Sequence, residues 1–191
     1  MKYINRELKG TYGYLKKQLI FEIVKTLVLF AMALGIFFIG YLTLHTKRSL
    51  WSVLAVLALL PASKSLVGVI MLARFRSLTR EEYELFLSAA GDIPALYEIV
   101  MTTTQRSFYI PAMIFASNTL TAYVPSSGSD MKILKEHIEH VLKGAGHSAT
   151  VKLYDDRDGF CKRAAQLCEK HMSEEETRAS NVFNTIKAVS L

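Results

Sequence analysis

The densest group of residues able to do chemistry is Asp155, Asp156 and Asp158. Three carboxylates within four positions are the donor type that holds Mg²⁺ beside a phosphate substrate. At a helix start the same residues would instead cap free backbone N–H groups and complement the helix dipole. A metal centre would need a further ligand brought in by the fold, so these three are candidates and no metal site is assigned. His137 and His140 stand three apart among Glu136 and Glu139, not at the i, i+4 spacing of a helical zinc pair, and read as a solvated helix face. Cys161 and Cys168 are seven apart on an expected helix, about 10 Å along it, too far for a disulfide. They read as small buried side chains. The Ser126–Ser129 loop lacks the lysine of a phosphate-binding loop, and no G-x-S-x-G, H-E-x-x-H or dinucleotide fingerprint occurs. The sequence therefore assigns no catalytic residue and no cofactor, and an enzyme is the less favoured reading.

Three other charges stand out because of where they lie. Leu27–Leu44 is eighteen residues without a charge, extended upstream by Leu19–Val24 around Glu22. Leu50–Ala73 is a second long apolar run, interrupted by Pro61 and Lys64 and followed by Arg74. Runs of about 20 apolar residues suffice to span a bilayer. The first is too long for a signal-peptide core and no small-residue cleavage site follows it, so it is expected to stay uncleaved. Only residues 45–49 separate the two, which forces an antiparallel hairpin with spans of about 20–44 and 50–73. Pairing by depth about residues 47–48 sets Glu22 level with Arg74 and Lys64 level with Ala31, roughly 15 Å from the inner edge. An ionisable residue at that depth is a candidate contact for a ligand, a lipid or a partner helix; snorkelling to the headgroups is the alternative. Glu22, Lys64 and Arg74 are the intramembrane candidates. Gly35, Gly40 and Gly68 offer sites of close helix approach.

Charge is split along the chain. Residues 1–77 carry 11 Lys/Arg against 2 acids, net +9; residues 78–191 carry 12 against 15, net −3. The basic residues flank the spans, at Lys2, Arg6, Lys9, Lys16 and Lys17 and at Arg74, Arg76 and Arg80, with two in the connecting turn. That asymmetry predicts a cell-membrane protein with both termini cytoplasmic. It accounts for the basic balance without nucleic acid as a partner. Residues 1–18 mix tyrosines and leucines with lysines, as in a segment lying on an anionic inner leaflet.

Residues 78–172 read as a cytosolic α/β domain of order α-β-β-β-α-β-α. Thr79–Glu82 is a capping box and Gly91 a stop. Strands are expected at 96–103, 107–116 (with Pro111 marking an edge or a bulge), 119–124 and 149–154. Asp130 is expected to cap a helix with Met131, Leu134, Ile138 and Leu142 inward, and residues 173–191 form a last amphipathic helix opened by a box at Ser173–Glu176. A three-stranded meander followed by a helix and a strand, over roughly 79–171, resembles the restriction-endonuclease-like core in element order alone. That family places acids and a lysine on its second and third strands. Ser107–Val124 contains no Asp, Glu or Lys, so the resemblance implies a core without catalytic residues.

The sequence thus predicts a membrane-anchored, non-enzymatic protein: a scaffold, a sensor or a subunit of a membrane complex. It would meet an anionic inner leaflet and self-associate or join another membrane protein. The alternatives are a membrane-tethered enzyme or degenerate nuclease using 155–158, and an oligomeric channel or transport accessory using Lys64.

Overall fold

The computed structural model describes residues 9–44, 50–126, 128–168 and 176–190. It divides into two compact units: residues 15–76, and residues 1–14 together with 77–191.

The first unit consists of two helices, α1 (Tyr14–Leu44) and α2 (Leu50–Ala73), with Pro61 inside α2. Both are long and apolar enough to cross a membrane. Their large side chains point away from the pair: Leu27, Val28, Met32, Phe38, Leu57 and Leu60 are all exposed. Only 17% of each most apolar 18-residue window is buried, so most of the apolar surface of both helices is left uncovered by their own unit. Several of the residues that the helices bury are small. Thr26, Ala33 and Gly40 recur every seven positions on α1, and Ala62, Ser65 and Leu72 line α2. Small side chains let backbones approach where lipid supplies no hydrophobic drive between helices. The connecting turn at 45–49 lies outside the described residues.

The second unit is a three-layer α/β/α sandwich. Helix α3 (Arg80–Ala90) opens with the expected capping box: Glu82 N–H donates to Thr79 Oγ1, and Thr79 N–H donates to Glu82 Oε2. It ends at Gly91, whose φ of 55° is the left-handed value a Cβ would strain. Strands β1 (Ala95–Thr102), β2 (Ser107–Ala116) and β3 (Thr119–Tyr123) form an antiparallel meander. Ser117 and Asn118, both at positive φ, make the tight β2–β3 turn. Helix α4 (Ser129–Gly144) then crosses over to β4 (Thr150–Tyr154), which lies parallel to β3. The sheet order is β1-β2-β3-β4. Helices α5 (Arg157–Cys168) and α6 (Glu176–Val189) complete the unit.

Helices α4 and α6 cover one sheet face, through Leu134, Ile138, Leu142, Val182, Phe183 and Ile186. Helices α3 and α5 cover the other, through Phe86, Ala90, Phe160, Ala164 and Leu167. Two covered faces explain why the strands read as continuous apolar runs, without a free face left over for a partner. The mixed sheet with helices on both sides agrees with the α/β reading and its element order.

Two details depart from expectation. Asp130 does not cap α4; the cap position is Gly128, and Asp130 pairs with Arg106 from the β1–β2 turn instead. The last helix packs into the core through Ala179, Val182, Phe183 and Ile186, and the box expected at Ser173 lies outside the described residues. Of the 1–18 segment, residues 1–8 also lie outside them. Lys9–Gly13 is not helical and caps the β1 edge: Tyr97 N–H donates to Gly10 O at 2.9 Å, and Lys9 Nζ donates to Ser190 O at 2.8 Å.

Candidate functional site

In the helical unit, one turn of α1 meets one turn of α2 through polar groups. Glu22 forms an ion pair with Lys25, three residues along its own helix. Ser65 Oγ of α2 donates to Glu22 Oε2 at 3.3 Å, and Thr26 Oγ1 lies 2.8 Å from Ser65 Oγ and 2.7 Å from Glu22 O. Thr26 and Ser65 are buried. One cation and one hydroxyl therefore satisfy the Glu22 side chain.

This contact fixes the register of the pair and corrects the depth pairing read from the sequence. Thr26 faces Ser65, and a Cβ on Gly68 would lie 3.6 Å from Glu22 Oε2. The helices are offset by one turn from the expected alignment, so Glu22 does not meet Arg74, and Lys64 is level with the Thr26 turn rather than with Ala31. The pairing rule assumed a symmetric turn, and hydroxyl-to-carboxylate bonding selected another register. Arg74 and Lys64 are both exposed. Lys64 therefore faces away from the Glu22 cluster and makes no ion pair or hydrogen bond among the described residues. The Cα–Cβ bonds of α2 tilt towards its N-terminus, so a side chain here starts out directed away from the Arg74 end. Of the three glycines, Gly40 is buried, Gly68 lies at the Glu22 contact, and nothing lies within 4 Å of a Cβ built on Gly35.

In the α/β unit, Asp156 is the N-cap of α5: its Oδ2 accepts from Gly159 N–H at 2.8 Å and its Oδ1 from Asp158 N–H at 3.4 Å. Asp155 and Asp158 are exposed, and Asp158 lies 3.9 Å from Arg157. Among the described residues no group of three or more His, Cys, Asp or Glu is placed to hold an ion. His140 is exposed, while His137 is half-buried with its Nε2 lacking a hydrogen-bond partner among the described residues. Cys161 and Cys168 are unbridged, and burial pushes the Cys161 thiol up from its usual range.

The residue that sequence reasoning missed is Glu98. It sits in the middle of β1, 1% exposed, at a φ of 52°. Its Oε1 accepts from Leu78 N–H at 2.8 Å and from Ser77 Oγ at a shorter distance. Glu98 stands opposite Pro111 of β2, where the ladder lacks an N–H. Tyr109 lies nearby, its hydroxyl pushed well above the ordinary tyrosine range, first by burial and then by the Glu98 and Glu82 carboxylates. The signal available in the sequence was a lone acid within LYEIVM, an otherwise apolar strand. The proline on β2 was visible too. It marks a break inside a central strand, not an edge.

The comparisons with known proteins add no name: no protein-family model matches this chain, nor does any curated protein or solved structure. The restriction-endonuclease-like core suggested by element order accordingly has no support beyond that order.

Proposed function

We propose that this chain is a membrane-anchored, non-enzymatic protein in which α1 and α2 span the cell membrane as a hairpin and the α/β unit is displayed in the cytoplasm as an interaction module. The observation that carries the reading is the outward direction of the large apolar side chains of both helices, which their own unit leaves uncovered. Hydrocarbon is the solvent such a surface fits, and the basic flanks suit an anionic inner leaflet. The α/β unit closes its own two cores and needs no membrane contact to bury them. Exposed Lys64 is the contact through which the hairpin meets a second copy or another membrane protein, because an ammonium at that depth requires an anionic or strongly polar neighbour.

Alkaline carbonate extraction of membranes, combined with protease treatment of intact and opened cells, tests the anchor and its orientation. The chain is expected to remain with the membrane, and residues 77–191 to be cleaved only in opened cells. Release by carbonate, or cleavage in intact cells, would overturn the reading. The Lys64 contact is tested by the mass of the detergent-solubilised particle. A mass above that of one 21.5 kDa chain is expected, falling in Lys64→Leu. A single-chain particle already in the unaltered protein would exclude the contact.

A further inference from the structure

The α/β unit contains a polar concavity, of about 220 Å³, at the end of the sheet where β3 and β4 begin. Three segments build it: the β2–β3 turn supplies Asn118, the α4–β4 connection supplies His147 and Ser148, and α6 supplies Arg178 and Asn181. Among the described residues no Asp or Glu lines it. Arg178 makes no ion pair among the described residues.

The imidazole is oriented. Thr185 Oγ1 donates its one hydrogen to Asn181 O at 3.1 Å, so at the 3.2 Å contact with His147 Nε2 the ring nitrogen is the donor. In that tautomer Nδ1 is left to accept. The backbone is fixed as well. His147 N–H donates to Leu142 O at 2.9 Å, and Thr150 N–H donates to Asn118 O at 3.0 Å, which ties the two loops together.

We propose that this cavity binds the phosphate group of a small ligand. The donors present are a guanidinium fork, two carboxamides and the Ser148 hydroxyl. That is more than the two oxygens of a carboxylate can use, and it suits the three terminal oxygens of a phosphate monoester. Arg178 supplies charge and bidentate geometry, and Asn118 and Asn181 supply neutral donors from the two sides.

The full chain in detergent micelles, titrated calorimetrically with inorganic phosphate, tests this. Saturable binding at one site is expected, on the order of millimolar or tighter for so small a probe. Arg178→Met should weaken it about tenfold or more, the effect of losing a charge-assisted fork, with Arg178→Lys in between. A phosphate-dependent rise in the thermal midpoint, absent in Arg178→Met, gives a second readout from protein that is demonstrably folded. A triple change of Lys132, Lys135 and Lys152 to Met should leave binding unchanged, because those lysines line a separate groove between α4 and β4. Glycerol 3-phosphate and phosphatidic acid vesicles separate a soluble ligand from a lipid headgroup, and Arg178-dependent binding of either supports the site. No saturation up to about 10 mM phosphate, an Arg178→Met variant that binds normally, or loss of binding on removing the three lysines would overturn the proposal.

Discussion

Replacement of Glu98 should separate three contributions that one residue makes to the α/β unit. Two donors, Ser77 Oγ and Leu78 N–H, converge on the same oxygen, Oε1. Glu98→Ala removes that oxygen and leaves the Leu78 N–H, at a buried residue, without its acceptor. Hydrogen bonds to a charged group contribute about 1.5–3 kcal/mol each, so the loss of two should come to about 3–6 kcal/mol. Glu98→Gln keeps an oxygen where both donors point and loses only the charge, which reduces each bond to a neutral one and costs about 1–2 kcal/mol. Glu98→Gly loses the oxygen as alanine does, but relieves the φ of 52° that alanine still has to adopt. Glycine should therefore be the milder change of the two by about 1 kcal/mol, the reverse of the usual order inside a strand. Urea unfolding of the full chain in micelles, followed by far-UV circular dichroism or by pulse proteolysis of the 77–191 region, measures all three. An alanine variant within about 1 kcal/mol of the parent would refute the buried-acceptor account. A glutamine variant as damaged as alanine would show that charge, not an oxygen at that point, is what matters. A glycine variant worse than alanine would remove the strain argument.

Other consequences are simpler. Asp156→Ala should lower stability by about 1 kcal/mol through loss of the α5 cap, and Mg²⁺ should shift the thermal midpoint equally in parent and variant; a larger Mg²⁺ effect in the parent would revive a metal role. Tyr97 is pushed up to about 12 by burial and by the neighbouring Tyr83, and Tyr109 and Tyr123 are also raised. A tyrosine whose folded value exceeds its unfolded value of 10.0 favours the native state below that pH, and the advantage is lost as pH rises from about 10 towards 12. Unfolding monitored by tyrosinate absorbance should accordingly steepen in that window, and tyrosines that all titrate near pH 10 in the native protein would contradict it. Gly10→Ala should be disruptive, because the new Cβ would lie 2.4 Å from Leu96 Cδ2 at a φ of +85°. Faster hydrogen exchange along β1 is the readout, and unchanged exchange would show that Lys9–Gly13 does not hold that edge.

Most of the architecture was legible in residue patterns, and the failures share a cause. Apolar runs of the right length gave both long helices, and the capping box at Thr79–Glu82 and the Ser117–Asn118 turn fell where their chemistry puts them. What local patterns do not carry is which polar groups meet across elements. The α1–α2 register depended on a Ser65–Glu22 contact between residues 43 apart, and Asp130 left the expected cap to meet Arg106. His147 and Arg178, which line one cavity, lie on separate elements that nothing in the sequence links.

Glu98 and Pro111 show the same limit at the level of a single strand pair. Strict alternation would send Leu96, Glu98 and Val100 to one face of β1. Instead Leu96, Ile99 and Met101 lie in one core and Tyr97 in the other, and β2 makes the matching change between Ile110 and Ala112. The register is intact on both sides of the break, with Tyr97 opposite Ala112 and Ile99 opposite Ile110. Each strand therefore inserts one residue out of phase at the same level. Proline lacks the N–H that would have paired there, and the left-handed backbone at Glu98 rotates its carboxylate out of the ladder to reach Ser77 and Leu78. A non-glycine residue at that φ costs about 1–3 kcal/mol, and it persists where surrounding bonds determine it. Those bonds hold Ser77 and Leu78, the residues that lead into the Thr79 cap, so the break in the sheet positions the start of α3.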